Sequence, residues 1–117
     1  MAGLKNNAGG HINYHKNEIM NMSPAQLVLK VYDIAILSCK LKDSAKVSKA
    51  LVELVSALDF EHGDIPIGLF KLYQYCLDEV KKGEFDAAQK ILLELRKTWA
   101  KVVKESLTPK KNIAGVL

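Results

Sequence analysis

Three histidines are the side chains of this sequence best suited to metal chemistry. His11 and His15 are four residues apart, a spacing that places two imidazoles on one face of a helix. They lie beside Gly9 and Gly10 with no third ligand nearby in sequence, and His62 is distant. The Glu-x-x-His motif of bundle-core metal proteins is also missing. We therefore expect no metal site and no cofactor.

Two cysteines are the other side chains that could react. Cys39 and Cys76 lie in apolar stretches and are not closely spaced, a pattern typical of small packing residues in a reducing compartment. The chain has neither a Gly-rich phosphate loop nor a recognisable nucleophile motif. With no active site in the sequence, we expect a protein that is not an enzyme.

The charge balance is basic, with 17 lysine and arginine residues against 13 acidic ones and a formal net charge of +4. Arg96 is the single arginine, and acidic residues are interleaved through every apolar segment. Nucleic-acid binders concentrate positive charge in a stripe, often with arginine or stacking aromatics. We expect solvated lysine faces and no nucleic acid. A basic nucleic-acid-binding bundle stays open as a rival, and its binding would depend steeply on salt.

The N-terminus lacks the charged segment, apolar run and small-residue cleavage site of a signal peptide. No stretch of the sequence approaches the roughly 20 apolar residues of a membrane span. We therefore expect a cytoplasmic protein without a membrane partner.

A single domain fits 117 residues with 49% hydrophobic content. Residues 1–22 differ from the rest in their glycines, asparagines and scattered apolar side chains, and we expect a flexible arm there. Ser23, Pro24 and Gln26 predict a helix start, because serine can cap the helix, proline suits its first position and glutamine reaches back from the third.

Four amphipathic helices are predicted over about 23–42, 43–63, 64–83 and 84–107, with 108–117 as a tail. Asp64 is the expected cap of the third helix. The predicted apolar stripes are Leu27, Val31, Ile34, Ser38 and Leu41; Val47, Leu51, Leu54 and Leu58; Ile65, Leu69, Leu72, Cys76 and Val80; and Phe85, Ala88, Leu92, Leu95, Trp99 and Val102. Connections of 2 to 5 residues require antiparallel neighbours. The sequence thus predicts an all-α, antiparallel up-down-up-down four-helix bundle with an N-terminal arm.

Polar and aromatic side chains interrupt these apolar helices. Tyr32 and Asp33 lie in the first helix, Tyr73 lies in the third, and Arg96 precedes Trp99 in the fourth. A structural interpretation is open for each of them. The tyrosine rings can be buried with their hydroxyls in water, and the two charged residues can pair across the surface.

The order of these residues resembles the FliS family of flagellin-specific export chaperones from about Tyr14 to Trp99. Five motifs carry the resemblance, and their common order is more specific than any one of them. They are Tyr14 and Ile19 with Met22, Ser23, Pro24 and Leu27; Tyr32 and Asp33 with Ala35 and Ile36; Ser56 with Leu58 and Asp59; Leu72 and Tyr73 with Tyr75; and Leu92 to Arg96 with Trp99.

Three departures mark a divergent member. Ile34 replaces the family's usual glycine, Gly68 replaces a common asparagine, and the hairpin between helices one and two is shorter by about ten residues, or three turns.

The resemblance implies a chaperone that binds the C-terminal helical segment of unassembled flagellin, prevents premature polymerisation and aids delivery to the type III export apparatus. An export gate protein and a co-chaperone are further partners it suggests, and we expect a monomer or weak homodimer. Apolar side chains outside the main seams are expected to line lateral grooves for a partner helix. The residues expected to bind flagellin, in the grooves and the arm, are Tyr14, Ile19, Leu27, Tyr32, Ile36, Leu37, Leu69, Tyr73, Leu77, Ile91 and Trp99.

Two further hypotheses remain open. Residues 11–22 would fold back over a groove in the free protein and be displaced by flagellin. The chain would alternatively be a helical adaptor of another system, because residues 83–87 resemble the turn of tetratricopeptide repeats, although no 34-residue period accompanies it.

Overall fold

The computed structural model describes residues 21–106, which form four α-helices: α1 Pro24–Lys40, α2 Ser44–Ser56, α3 Asp64–Lys81 and α4 Phe85–Ser106. Each helix packs against the next, and α1 also packs against α4. The helices therefore follow one another around the bundle, with α1 and α3 on one diagonal. Short connections make neighbours antiparallel. The predicted four-helix bundle is confirmed, while the tail and all but the last two residues of the arm lie outside the described residues.

The start of α1 is held by the predicted capping box. The hydroxyl of Ser23 accepts a hydrogen bond from the amide of Gln26 at 3.2 Å, and the side-chain oxygen of Gln26 accepts one from the amide of Ser23 at 2.9 Å. Pro24 occupies the first helical position, where no amide hydrogen is needed. These interactions fix where the chain enters the bundle.

Two helices end in the same tight motif. At the end of α1 the amide of Asp43 donates to the carbonyl of Ser38 at 2.9 Å, and Lys42 takes a φ of 56°. At the end of α3 the amide of Glu84 makes the equivalent bond at 2.8 Å, and Gly83 takes a φ of 83°. This is the Schellman motif, which satisfies the last carbonyls and needs one residue in the left-handed region. Both helices therefore turn sharply at the same end of the bundle.

The end of α2 is earlier than predicted, at Ser56 rather than at Gly63. The hydroxyl of Ser56 donates to the carbonyl of Glu53 at 2.8 Å, and the carboxylate of Asp59 accepts from the amide of Glu61 at 3.0 Å. Such local side-chain bonds compete with a continuing helix. The connection over 57–63 is thus longer than predicted, although its two helices remain antiparallel.

The start of α3 also differs from the prediction. Gly63, with a φ of 87°, is the cap residue and makes no side-chain capping bond. Asp64 is the first helical residue instead. Its carboxylate there lies close to the positive end of the helix dipole.

The buried face of α1 is rotated relative to the predicted one. Ser38 is buried as predicted, but Ile34 and Leu41 are 46% and 66% exposed, whereas Tyr32 and Cys39, outside the predicted stripe, are buried. The ring of Tyr32 is buried, and its hydroxyl is hydrogen-bonded to that of Tyr73 in the core. The side of α1 that carries Tyr32 therefore faces inward.

Smaller differences occur in α3 and α4. Ile65, Leu72 and Val102 are exposed although the stripes placed them inward, and Val103 is buried in α4. Both cysteines are buried and free, as expected of packing residues. The core consists of Tyr32, Ala35, Cys39, Val47, Ala50, Leu51, Leu54, Tyr73, Cys76, Val80, Ala88 and Leu92.

Candidate partner-binding site

An apolar cavity of about 400 Å³ lies at one end of the bundle. The first turns of α1 and α3 and the last turns of α2 and α4 meet at this end, so all four helices line the cavity. Its walls include Val28, Leu54, Leu58, Leu69, Leu95 and Trp99. Ile65 and Val102, at its rim, are exposed. A hollow of this size and composition suits apolar side chains of a partner.

A shallower recess of about 550 Å³ adjoins the cavity, between the start of α1 and the end of α2. Val28 and Trp99 line both hollows, while Leu27 and Val31 line the recess alone. The two together form one extended apolar surface at this end of the bundle. A partner helix lying across it could place side chains in both.

Trp99 ties the two helices that border these hollows. Its indole N–H donates to the carbonyl of Ala25 at 2.8 Å, which joins the end of α4 to the first turn of α1. The ring is half-buried and keeps an apolar face toward the cavity. A tryptophan with its polar atom satisfied in this way is a rigid wall for a binding surface.

Tyr32 and Tyr73 lie deeper, where the cavity meets the core. Their hydroxyl oxygens are 2.6 Å apart, and their rings are 6.4 Å apart between centroids and tilted by 57°. Burial raises the pKa of Tyr32 far above its usual range, and the hydrogen bond to Tyr73 raises it further. Burial also raises the pKa of Tyr73. The two hydroxyls are bonded to each other inside the core, so the interpretation with solvated hydroxyls was wrong.

Asp33 and Arg96 form an ion pair between α1 and α4. The hydrogen bond to Asp33 raises the pKa of Arg96. Both side chains are partly exposed, and pairs of this kind contribute on the order of 1 kcal/mol or less. The structural interpretation of these two residues is confirmed, and the pair aligns the helices without reaching the cavity.

The predicted flagellin-binding residues fall into four groups. Five residues, Leu27, Tyr32, Leu69, Tyr73 and Trp99, line the cavity or the recess, and the two tyrosines among them are buried. Three half-buried residues, Ile36, Leu77 and Ile91, pack against the core from the lateral faces. Leu37 is exposed on α1. Tyr14 and Ile19 lie outside the described residues.

Other exposed apolar residues were not among the predicted binding residues. Phe60, Ile67 and Phe70 surround the connection between α2 and α3, and all three are exposed. Two phenylalanines flanking Gly63 were the available signal. That signal pointed the other way, because phenylalanine is among the residue types most often buried.

Within residues 21–106 no three His, Cys, Asp or Glu side chains lie close enough together to hold a metal ion. The pair His11 and His15 lies outside this range. None of the described helices is both long and apolar enough to cross a membrane.

Comparison with known families identifies a family that covers most of the chain. The family model described as "Flagellar protein FliS" matches residues 6–106 of the chain. Neither the curated proteins nor the solved structures contain a match.

Proposed function

The chain belongs to the FliS family of flagellar chaperones, and from that membership we propose that it binds the C-terminal helical segment of unassembled flagellin in the cytoplasm. Bound in this way, the segment cannot take part in premature polymerisation. The chaperone then aids delivery of its cargo to the type III export apparatus, with an export gate protein and a co-chaperone as further partners. This role requires binding and release and no bond-making step.

The observation that supports this proposal most is the apolar surface formed by the cavity and the recess. It is open at the rim, where Ile65 is 75% exposed, and its walls are apolar side chains supplied by all four helices. Exposed apolar surface is costly in water unless a partner covers it. A helix with apolar side chains at successive turns fits such a surface. Further contacts along the sides of the bundle are proposed for four residues that line neither hollow, Ile36, Leu37, Leu77 and Ile91.

Cargo binding of this kind couples folding to association. A disordered segment that becomes helical on the chaperone loses conformational entropy, which offsets part of the favourable burial of apolar surface. The affinity stays moderate for the area covered, and this permits later release.

Calorimetric titration of the full chain with a peptide of about 40 residues from the C-terminus of the host's flagellin tests the proposal, since that length forms about two bundle helices. We expect binding at micromolar affinity or tighter, with a negative heat-capacity change. A scrambled peptide is the control. Absence of both heat and co-elution would favour the adaptor interpretation.

A matched pair of variants tests the location of the site. Ile65 and Leu41 are similarly exposed but lie at opposite ends of the bundle, so serine at either position should leave folding intact. We expect Ile65→Ser to weaken flagellin binding and Leu41→Ser to leave it unchanged. The reverse pattern would place the cargo elsewhere.

The arm has a separate test. If residues 11–22, with Tyr14 and Ile19, cover the binding surface in the free protein, then deletion of residues 1–22 strengthens flagellin binding. Unchanged affinity in the deletion variant would contradict this covering role. Weaker affinity would show that the arm contacts the cargo directly.

A further inference from the structure

The connection between α2 and α3 presents apolar side chains that the flagellin site leaves unused. Phe60 and Phe70 are 50% and 37% exposed, and their rings meet edge to face, with centroids 6.0 Å apart and planes at 76°. Ile67 lies one turn before Phe70 on α3 and is also exposed. We call these three residues the aromatic patch. None of them lines the cavity or the recess, so the patch is a separate surface.

An ordered turn holds Phe60 in place. The carboxylate of Asp59 accepts from the amide of Glu61 at 3.0 Å and lies 2.7 Å from Nδ1 of His62, while the amide of His62 donates to the carbonyl of Asp59 at 3.0 Å. A side chain presented by a bonded turn has less freedom to lose when a partner binds. Exposed aromatics in such a setting are the usual anchors of protein interfaces.

Two exposed acidic residues lie in the sequence between Phe60 and Ile67 of the patch. Glu61 and Asp64 are exposed, and neither forms an ion pair with any other residue in the range 21–106. Asp59 is already paired with His62. Lys71 follows Phe70 in the sequence and carries a positive charge. A partner that complements this pattern carries its positive charge over the connection.

We propose that the aromatic patch binds a short basic amphipathic helix of a second protein partner, distinct from flagellin. Two apolar side chains one helical turn apart pack on Phe60, Ile67 and Phe70. Arginine side chains of the partner pair with Glu61 and Asp64, and arginine suits this because its guanidinium group bonds a carboxylate through two N–H groups.

The test uses the full chain and two synthetic helical peptides of about 14 residues, or four turns. Both carry leucines along one face; one has flanking arginines and the other has glutamates at the same positions. We expect the arginine peptide to bind and the glutamate peptide to bind at least about tenfold more weakly. Phe60→Ser and Glu61→Lys should each lower the affinity for the arginine peptide by about tenfold. Leu93→Ser is the matched control, because Leu93 is 47% exposed on α4 and lies outside the patch.

Three results would overturn the proposal. The first is a failure of specificity: the two peptides bind equally, or both patch variants keep full affinity. Unchanged helical circular dichroism would show that these variants are folded. The second is a set of NMR shift changes centred on Leu69 and Trp99, which would place the peptide in the cavity. The third is a self-association by sedimentation velocity that Phe60→Ser abolishes, which would assign the patch to a second copy of this chain.

Discussion

The hydroxyl groups of Tyr32 and Tyr73 lie 2.6 Å apart and join α1 to α3 across the diagonal of the bundle. Each hydroxyl is the other's partner in a buried setting, so neither can be removed without leaving the other unsatisfied. Because the two residues are far apart in sequence, their bond also specifies which faces of α1 and α3 point inward.

Replacing one of these tyrosines by phenylalanine should destabilise the protein. Tyr73→Phe leaves the hydroxyl of Tyr32 buried without a partner, at a cost of about 1 to 3 kcal/mol. The double variant removes both polar groups and should cost less than the sum of the two single changes. Urea unfolding of the three variants measures this. Asp33→Asn, which breaks a partly exposed ion pair, is the control and should cost under about 1 kcal/mol. Strict additivity of the two tyrosine changes would mean that the hydroxyls do not depend on each other.

Stability should also fall at alkaline pH. Burial raises the pKa of the thiol of Cys39 to about 11 and of Cys76 to about 12, and it raises the pKa of both tyrosines. Groups with a raised pKa in the folded state stabilise it fully below their ordinary pKa, and this stabilisation is lost as the pH rises through the folded values. Losses should therefore begin near the ordinary thiol pKa of about 8.5 and steepen above about 10, by about 1.4 kcal/mol per pH unit and group.

Urea midpoints between about pH 8 and pH 11 would show this loss. The double phenylalanine variant should lose less stability than the wild type above about pH 10, because its tyrosine contribution is gone. Parallel curves for the two proteins would contradict the assignment to the tyrosines.

Substitutions at the two tight helix ends should change the stability of the protein in opposite directions. Lys42 holds a left-handed conformation that costs a non-glycine residue about 1 to 2 kcal/mol, so Lys42→Gly should stabilise the protein. The greater freedom of glycine in the unfolded chain reduces this gain to about 1 kcal/mol or less. Gly83→Ala should destabilise by about 1 kcal/mol, since Gly83 has the same left-handed geometry. Thermal unfolding of both variants tests this prediction. If the midpoint moved in the same direction in the two variants, backbone conformation would not be the cause.

Trp99 should report cargo binding directly. It is the single tryptophan of the chain and lines both the cavity and the recess. A flagellin peptide that covers these hollows removes water from the indole ring, so the emission should shift to shorter wavelength. The shift should appear at lower peptide concentration in the wild type than in Ile65→Ser. Heat of binding without any change in emission would indicate a site away from this end.

Much of the fold could be predicted from local signals. The cap at Ser23 and Gln26 marked the start of α1, and the stripe of Val47, Leu51 and Leu54 identified the buried face of α2. These features depend on neighbours a few residues away, which the sequence displays. The prediction for the end of α2 was wrong because Asp59 forms a turn with its own side chain. Its hydrogen bond to the amide of Glu61 competes with a continuing helix.

The candidate site was harder to predict for a physical reason. Tyr32 and Tyr73 have a hydroxyl that water or another side chain can satisfy equally well, and the choice depends on a contact between distant residues. Leu27, Leu69 and Trp99 were identified as candidates through family resemblance, and the structure shows that they line one continuous surface. Phe60 and Phe70 are exposed against the usual preference of phenylalanine for burial, so their residue type did not predict it.

The cavity makes the two ends of the bundle unequal. The cavity lies where the first turns of α1 and α3 meet the last turns of α2 and α4, and it is open to solvent at its rim. The opposite end is closed by the tight turns at Lys42 and Gly83. The surface offered to a partner therefore lies at the end of the bundle that these bonded turns do not close, so a partner docked there leaves both turns free.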